Sequence, residues 1–166
     1  VQVGGLELTD GVRREVAGAQ LEAYATPGHT SDSFSLLVVG DHGATRLLTG
    51  DMVLGRGTTV ITQPDGDLAS YLSSLTLLQD LVRERRVTEI LPGHGPRVGS
   101  PVAWLDYYRT HRLRRLQQVR HAVAAGYRTP AEVVARVYAD VDPAVRAAAE
   151  QSVAAQLEYL EAFPTS

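Results

Sequence analysis

Three short segments of the sequence share one pattern, in which a strand-like run ends in a glycine-containing turn that carries a histidine or an aspartate. They are residues 26–30 (TPGHT), 48–51 (LTGD) and 90–95 (ILPGHG). A side chain at the end of a strand is held by the rigid sheet, and the glycine beside it lets the backbone approach a bound ion or substrate. The pattern therefore predicts a sheet whose end carries His29, Asp51 and His94 as candidate metal ligands.

The region around the first two turns is rich in strand signals. Apolar or alternating runs occupy residues 21–25, 34–39 and 44–49, and the Gly-Asp-His-Gly turn at 40–43 predicts a hairpin between the last two. A further short run lies at 58–61, before a Pro-Asp-Gly turn. We therefore expect a mainly β structure up to about residue 62.

Helical signals dominate the rest of the chain. After Asp67, which can cap a helix, apolar side chains recur at helical spacing up to Val82, and a short strand follows at 89–91. Three more helices are predicted at 101–124, from the capping box that starts at Thr129, and from Asp142-Pro143 to about Glu161. This order of elements predicts an α/β (α+β) fold, with residues 1–100 as the mixed part, 101–128 as a connecting long helix and 129–166 as a helical tail.

Composition limits the chemistry. The sequence contains no cysteine, and all 16 basic residues are arginine, which excludes disulfides, thiolate metal sites, cysteine nucleophiles and lysine Schiff bases. A metal would therefore have to be held by histidine and carboxylate side chains, a ligand set that suits zinc or a similar divalent ion. One carboxylate can also bridge two ions, as two-metal hydrolases require.

The order of the Pro-Gly-His-Thr, Thr-Gly-Asp and Pro-Gly-His-Gly turns resembles the second half of a metallo-β-lactamase-fold hydrolase. The sequence GRGTTV at 55–60 and the all-helical tail narrow the resemblance to the beta-lactamase-like protein 2 group, whose tail is a small winged-helix-like domain. The resemblance implies the C-terminal half of an αββα metallo-β-lactamase sandwich followed by a winged-helix-like tail. It also implies hydrolysis by metal-activated water, with single-stranded RNA as the substrate of characterised members.

The resemblance also implies roles for individual residues. His29 would complete one zinc site, His94 would belong to a second zinc site, and Asp51 would bridge the two ions as the catalytic carboxylate. Arg56 and Thr58, which follow Asp51 in the chain, are candidates for binding the substrate. Two zinc ions, or another divalent metal, are the implied cofactors of a complete site.

One motif of the resembled family is absent. The sequence has no His-x-His-x-Asp-His motif, which supplies four of the seven metal ligands in that family. We therefore expect the chain to correspond to the C-terminal part only, to bind metal weakly and to be inactive by itself. The apolar run at 34–39 would lose its covering sheet, so self-association or a need for the missing N-terminal half is expected.

The basic charge is concentrated in one segment. Residues 101–128 hold six arginines against one acid, whereas the flanking parts are acidic. Two interpretations remain open: the arginines contact RNA phosphates, or they form a solvated face that pairs with Glu150, Glu158 and Glu161 of the tail. The aromatic residues Trp104, Tyr107 and Tyr108 are more typical of core packing than of base stacking.

Three functions remain open on the sequence. A metal-dependent hydrolase that cleaves single-stranded RNA is the first, a glyoxalase II-like thioester hydrolase acting on a small molecule is the second, and a catalytically incomplete interaction fragment is the third. No apolar run is long enough to cross a membrane and residues 1–10 lack a secretory signal, so we expect no membrane partner and a cytoplasmic location.

Overall fold

The structure is a computed structural model that describes residues 2–3, 6–40, 43–139 and 142–164. The strands are β1 (Gln2–Val3), β2 (Leu6–Glu7), β3 (Arg13–Val16), β4 (Ala19–Ala25), β5 (Phe34–Val39), β6 (Thr45–Gly50) and β7 (Glu89–Pro92). The helices are α1 (Leu68–Glu84), α2 (Pro101–Ala124), α3 (Pro130–Val137) and α4 (Arg146–Ala162). The mixed α/β architecture predicted from the sequence is therefore confirmed.

The main sheet has five strands in the order β3-β4-β5-β6-β7. Neighbours from β3 to β6 pair antiparallel, including the predicted hairpin of β5 and β6, whereas β6 and β7 pair parallel. A parallel pair needs a crossover connection, and α1 lies in that connection. Strands β1 and β2 form a separate two-stranded sheet.

One face of the sheet is packed against the helices. Leu37, Leu47 and Ile90 lie opposite one another on three neighbouring strands and are fully buried. They join one apolar cluster with Leu75 and Leu78 of α1. Helix α1 is amphipathic, as its spacing predicts, and Asp67 caps it by accepting a hydrogen bond from the Ser70 backbone N–H at 2.7 Å.

The other face of the sheet has no helix layer among the described residues. Leu36 pairs with Leu48, and Val38 lies two residues further along β5, so all three side chains point to that side, where they are only half-buried. Ala23 on the same face is fully buried, beside backbone hydrogen bonds that join it to Gly11 and Val12. The apolar run at 34–39 thus alternates between a covered and a partly covered face.

Helix α2 belongs to two apolar clusters. Its first half places Leu105 and Tyr108 in the cluster under the sheet. Its second half places Val119 against Val133 of α3 and Val153 of α4. The predicted capping box starts α3: Glu132 N–H donates to the Thr129 hydroxyl at 3.3 Å, and Thr129 N–H donates to the Glu132 carboxylate at 2.9 Å.

The structure corrects several local expectations. The sequence does not predict β3, because three of its four residues (RREV) are charged and all four are exposed; it forms as an edge strand paired with β4. The run at 58–61 is an irregular segment and not part of the β structure. The last helix begins at Arg146, since a single 3-10 turn occupies Pro143–Val145. Tyr107 is 49% exposed, so only part of the aromatic group is core.

The Tyr108 hydroxyl forms hydrogen bonds with the backbone of the loop after β6. Its hydroxyl accepts a hydrogen bond from Leu54 N–H at 2.8 Å and lies 3.0 Å from the Gly57 carbonyl, to which it donates. Burial raises the pKa of Tyr108 to about 12, so the hydroxyl keeps its proton at any ordinary pH. This aromatic side chain of α2 therefore fixes the backbone of a loop that is distant in sequence.

We predict that Tyr108→Phe lowers the free energy of unfolding by about 1–3 kcal/mol, because it leaves the partners of a buried hydroxyl unsatisfied. Tyr107→Phe is the matched control on the same helix turn, and its ring is half-exposed. Urea unfolding followed by circular dichroism measures both. Equal stability of the two variants would contradict the role given to the Tyr108 hydroxyl.

Candidate metal centre at the end of the sheet

The structure brings the three sequence-predicted ligands together. Asp51 Oδ2 lies 3.8 Å from His29 Nε2, and Asp51 Oδ1 lies 3.5 Å from His94 Nε2. Each oxygen of the one carboxylate thus faces a different histidine. Their role as metal ligands is a chemical inference from this arrangement, in which the carboxylate stands between two imidazoles.

Sheet topology explains why these side chains meet. Strands β6 and β7 run parallel, and β4 runs in the same direction because it is antiparallel to β5. The carboxyl ends of all three strands therefore lie at one edge of the sheet. His29, Asp51 and His94 follow those three ends in the sequence. The pairing register also shifts between Leu48 and Gly50, directly before Asp51, an irregularity that redirects a strand end.

Glycine is required where the turns touch. A Cβ on Gly93 would lie 2.8 Å from Asp51 Oδ1, and Gly93 N–H donates a hydrogen bond to the Gly50 carbonyl at 2.8 Å. A Cβ on Gly55 would overlap the Pro96 carbonyl oxygen, and Gly55 N–H donates to the His94 carbonyl at 2.9 Å. The turns that carry Asp51 and His94 are thus packed backbone to backbone.

His29 is oriented by a backbone partner. Its Nδ1 lies 2.7 Å from the Val60 carbonyl oxygen, which can only accept a hydrogen bond. Nδ1 therefore carries a proton, and the lone pair of the neutral ring belongs to Nε2, the atom that faces Asp51. Metal-binding histidines are commonly fixed in this way by a partner on the other ring nitrogen.

One carboxylate oxygen of Asp51 is buried and unpaired among the described residues. Its Oδ1 atom is shielded from solvent and has no hydrogen-bond partner within the described part of the chain. A buried carboxylate oxygen without a donor is costly, and a divalent ion between it and His94 would satisfy it. The backbone of Asp51 is held in addition, since its carbonyl accepts the Thr59 hydroxyl.

The three side chains do not surround a single ion. Across residues 2–3, 6–40, 43–139 and 142–164, no three histidine, cysteine or acidic side chains are grouped closely enough to hold one metal. Asp51 instead faces His29 with one carboxylate oxygen and His94 with the other, so an ion beside either histidine would meet at most two of the three side chains. The side chain of His94 is also 77% exposed, so this side of the arrangement is open to solvent.

The predicted substrate-binding residues lie beside this centre. Arg56 is exposed, and its backbone runs against the Pro-Gly-His-Gly turn, since a Cβ on Gly95 would lie 2.9 Å from Arg56 N. Thr58 is exposed less than Arg56 is, and it lines a cleft next to α2. No distance ties either side chain to the three candidate ligands, so their part in substrate binding stays a prediction.

Sequence reasoning missed the contacts by which Thr59, Val60 and the buried Arg112 support the candidate ligands. Thr59 and Val60 hold Asp51 and His29 through hydrogen bonds, and Arg112 donates to the Thr59 carbonyl. A signal for Arg112 existed, because it falls on the same helical stripe as Leu105, Tyr108, Leu116 and Val119. A single charged residue within an apolar stripe indicates a buried polar contact.

The arginine-rich segment does not pair with the tail. No ion pair joins an α2 arginine to Glu150, Glu158 or Glu161 in the part of the chain that the structure describes; Glu150 pairs with Arg146 of its own helix. Arg112 and Arg115 instead stack on the rings of Tyr71 and Tyr138. Of the second interpretation, pairing with the tail is therefore wrong, whereas Arg109 and Arg114 are exposed as in a solvated face.

Comparisons with known proteins agree with this architecture. The beta-lactamase associated winged helix domain family matches residues 129–162. A beta-lactamase-like protein 2 homolog from Caenorhabditis elegans is 39% identical over 152 residues, which cover 91% of this chain and 48% of that protein. An atrochrysone carboxyl ACP thioesterase from Aspergillus chevalieri is 34% identical over 72% of this chain and 35% of its own length.

The fold has solved counterparts as well. A metallo-beta-lactamase family protein from Thermus thermophilus superposes with a TM-score of 0.77 at 24% identity, covering 96% of this chain and 50% of that one. Fold, turn order and these similarities define a hydrolase family of the metallo-β-lactamase fold. The chain belongs to the metallo-β-lactamase superfamily, and it is similar to the C-terminal part of the beta-lactamase-like protein 2 homologs. It spans about half the length, or less, of the curated relatives it matches.

The helical tail predicted to be winged-helix-like is confirmed by the family match at 129–162. Among the described residues, no helix combines the length and the apolar character that a membrane span requires. The compartment in which the protein acts stays a prediction.

We predict that Gly93→Ala weakens divalent metal binding about tenfold or more, because the new methyl group displaces the Asp51 carboxylate. Gly99→Ala is the matched control, since a Cβ there meets nothing within 4 Å. Titration with Co²⁺ followed by absorbance measures the affinity. If both variants bind Co²⁺ as the unaltered chain does, Asp51 is not part of a metal site.

Proposed function

We propose that this chain supplies one side of a two-zinc centre in a hydrolase that cleaves phosphodiester bonds of single-stranded RNA. The single observation that carries the proposal is Asp51, whose two carboxylate oxygens face His29 Nε2 and His94 Nε2 at 3.8 and 3.5 Å. A carboxylate shared between two imidazole-bearing positions suits a pair of divalent ions. The neutral nitrogen and carboxylate donors suit zinc.

The chain's own residues would have distinct tasks in that centre. His29 and His94 would each hold one ion through Nε2, and Asp51 would bridge the two positions. When bound, such ions lower the pKa of a coordinated water and stabilise the charge that develops on the attacked group. Thr59 and Val60 keep the ligands in position through the backbone of Asp51 and the ring of His29.

RNA is proposed as the substrate for two reasons. The sequence resembles the beta-lactamase-like protein 2 group, and the Caenorhabditis elegans relative that is 39% identical carries that name. In addition, α2 presents arginines that are not neutralised by the acidic tail, which leaves positive charge near the segment that orients the ligands. A phosphodiester backbone would supply the complementary charge.

A thioester hydrolase is the second candidate function. The observation in its favour is the similarity to a relative named as a thioesterase, at 34% identity over 72% of the chain. The same bridged pair of ions would serve either reaction, because both need an activated water and a stabilised oxyanion. The two candidates therefore differ in substrate recognition and not in the metal ligands.

The centre as built by this chain is incomplete, and we propose that the remaining ligands come from an N-terminal half. With two ligands at each ion position, we expect weak metal binding and little or no hydrolysis by residues 1–166 alone. The same half would cover the face of the sheet that bears Leu36, Val38 and Leu48. Without it, this apolar face favours self-association.

The decisive experiment places the first half of the Caenorhabditis elegans relative ahead of this chain in a chimera. With about two zinc ions bound per chain, we expect cleavage of a fluorogenic single-stranded RNA that a chelator abolishes. Asp51→Asn should lower the rate by more than about tenfold, because a shared ligand is lost from both positions. His121→Gln, at an exposed histidine of α2, is the control.

The outcomes separate the candidate functions. Hydrolysis of a thioester but not of RNA by the zinc-loaded chimera would replace the first candidate by the second. Activity that is equal in Asp51→Asn and His121→Gln would refute the proposed metal centre. A chimera that neither loads zinc nor shows either activity would favour the third function, an interaction fragment.

We predict separately that residues 1–166 associate with rising concentration, and that Leu36→Gln reduces this association because it makes the uncovered sheet face more polar. Leu77→Gln, on the outer surface of α1, is the control, since Leu77 is already 38% exposed. Multi-angle light scattering measures the mean mass. A mass that stays at one chain over the whole concentration range would contradict the prediction.

A further inference from the structure

A cleft of about 380 Å³ lies between the segment after Asp51, helix α2 and the helical tail. Its charged and polar lining comes from Thr58, Thr59, His111, Arg112, Arg115, Tyr138 and Ser152. The rest of its lining is small or apolar, and no carboxylate contributes to it within the described residues. The cleft is therefore a cationic recess next to, but separate from, the three candidate metal ligands.

Arg112 is the deepest charge in the cleft. Its side chain is buried, its guanidinium carbon lies 4.9 Å from the centre of the Tyr71 ring, and one Nη donates to the Thr59 carbonyl. Its Nε atom is buried and has no partner among the described residues. A buried guanidinium that faces no carboxylate retains an unneutralised positive charge and an unused donor, which an anion would satisfy.

Arg115 adds a second cation, one helical turn further along α2. Its guanidinium carbon lies 4.6 Å from the centre of the Tyr138 ring, and its Nη1 donates to Gln118 at 3.0 Å. These contacts hold the guanidinium in place without neutralising it. Two guanidinium groups fixed by aromatic rings offer planar sets of donors that match the oxygens of a phosphate.

His111 lies in the positive electrostatic field of the neighbouring arginines. Burial lowers its pKa below the usual value, and the neighbouring Arg112, Arg115 and Arg114 lower the pKa further. Its Nδ1 is buried and has no partner in the described part of the chain. When Nδ1 of the neutral imidazole carries the ring proton, it can donate a hydrogen bond to an anion. His111 thus adds a third donor group to the two arginines.

We propose that this cleft binds a phosphate group through Arg112, Arg115 and His111. Nothing in the metal-ligand geometry requires such a site. The volume exceeds that of a bare phosphate and suits a phosphate attached to a nucleoside or a similar organic group. The chemical class of ligand is therefore a phosphate monoester or diester.

The cleft and the metal centre share a wall, which gives the site a place in catalysis. The Thr59 hydroxyl donates a hydrogen bond to the Asp51 carbonyl, and the Thr59 carbonyl accepts one from the Arg112 guanidinium. The Val60 carbonyl accepts a hydrogen bond from the His29 ring, and Val60 also lines the cleft. This step rests on the proposed function: the phosphate held in the cleft would be a neighbour of the scissile bond in the RNA strand. The cleft would then position the strand and contribute to substrate affinity.

The test measures binding to residues 1–166 by NMR chemical-shift titration, in EDTA so that metal ions play no part. The probes are inorganic phosphate, uridine 5′-monophosphate, tetrauridylate and uncharged uridine. We expect the three phosphate-bearing probes to shift Thr58, Thr59, Val60 and His111, and uridine to leave them unchanged. Tighter binding of tetrauridylate than of inorganic phosphate identifies a nucleic acid strand as the source; equal binding identifies a small phosphate compound.

Two variants on the same helix decide whether the cleft is the site. Arg115→Gln should weaken binding of uridine 5′-monophosphate about tenfold, because a charge-assisted pair is lost. Arg114→Gln removes the same charge from an exposed position outside the cleft and should weaken it less than about twofold. Equal weakening by both variants, or binding of uridine as tight as its monophosphate, would overturn the proposal.

A third variant guards against a folding defect in Arg115→Gln. Ala149→Leu adds volume to the wall of the cleft without changing charge, and it should also weaken binding while thermal unfolding stays cooperative. Unchanged binding in this folded variant would count against the cleft. Because all titrations omit metal, loss of the RNA hydrolase proposal would leave these results intact, and loss of phosphate binding would leave the metal centre intact.

Discussion

The parallel pairing of β6 with β7 controls both the core and the candidate metal centre. It sets the carboxyl ends of both strands at one edge of the sheet, where Asp51 and His94 follow. Because β7 reaches this position only through a crossover, α1 must lie on the sheet, and its apolar side covers Leu37 and Leu47. One topological choice therefore produces the packing of the helix layer and the meeting of the ligands.

Polar groups at the ends of buried helical side chains connect the apolar core to the candidate metal centre. The hydroxyl of Tyr71 in α1 donates to the Met52 carbonyl at 2.8 Å, while Tyr108 and Arg112 of α2 hold the backbone of the same loop. In each case the ring or the planar guanidinium group is buried, and the polar atoms at the end of the side chain form hydrogen bonds with the loop backbone. The loop that carries Asp51 has no regular secondary structure, yet helices from two parts of the chain define its path.

Local signals in the sequence predicted most elements, because their causes are local. The apolar spacing of α1, the Thr129–Glu132 capping box and the hairpin of β5 and β6 all depend on residues near one another in the chain. Strand β3 escaped prediction because its polar sequence has no strand pattern, and only pairing with β4 makes it a strand. The resemblance to the metallo-β-lactamase superfamily came from the order of three turns, a signal that needs no contact information.

Residue type, spacing and order along the chain were sufficient to predict the candidate ligands, the helical tail and the superfamily. The position of Asp51 between His29 and His94 required the folded molecule, because strand direction and register set those distances. The same holds for Arg112 and Arg115, which line a cleft and do not pair with the acidic tail. Helical periodicity determines the side of the helix on which a residue lies. Which residue of another element it contacts there depends on how the helices pack.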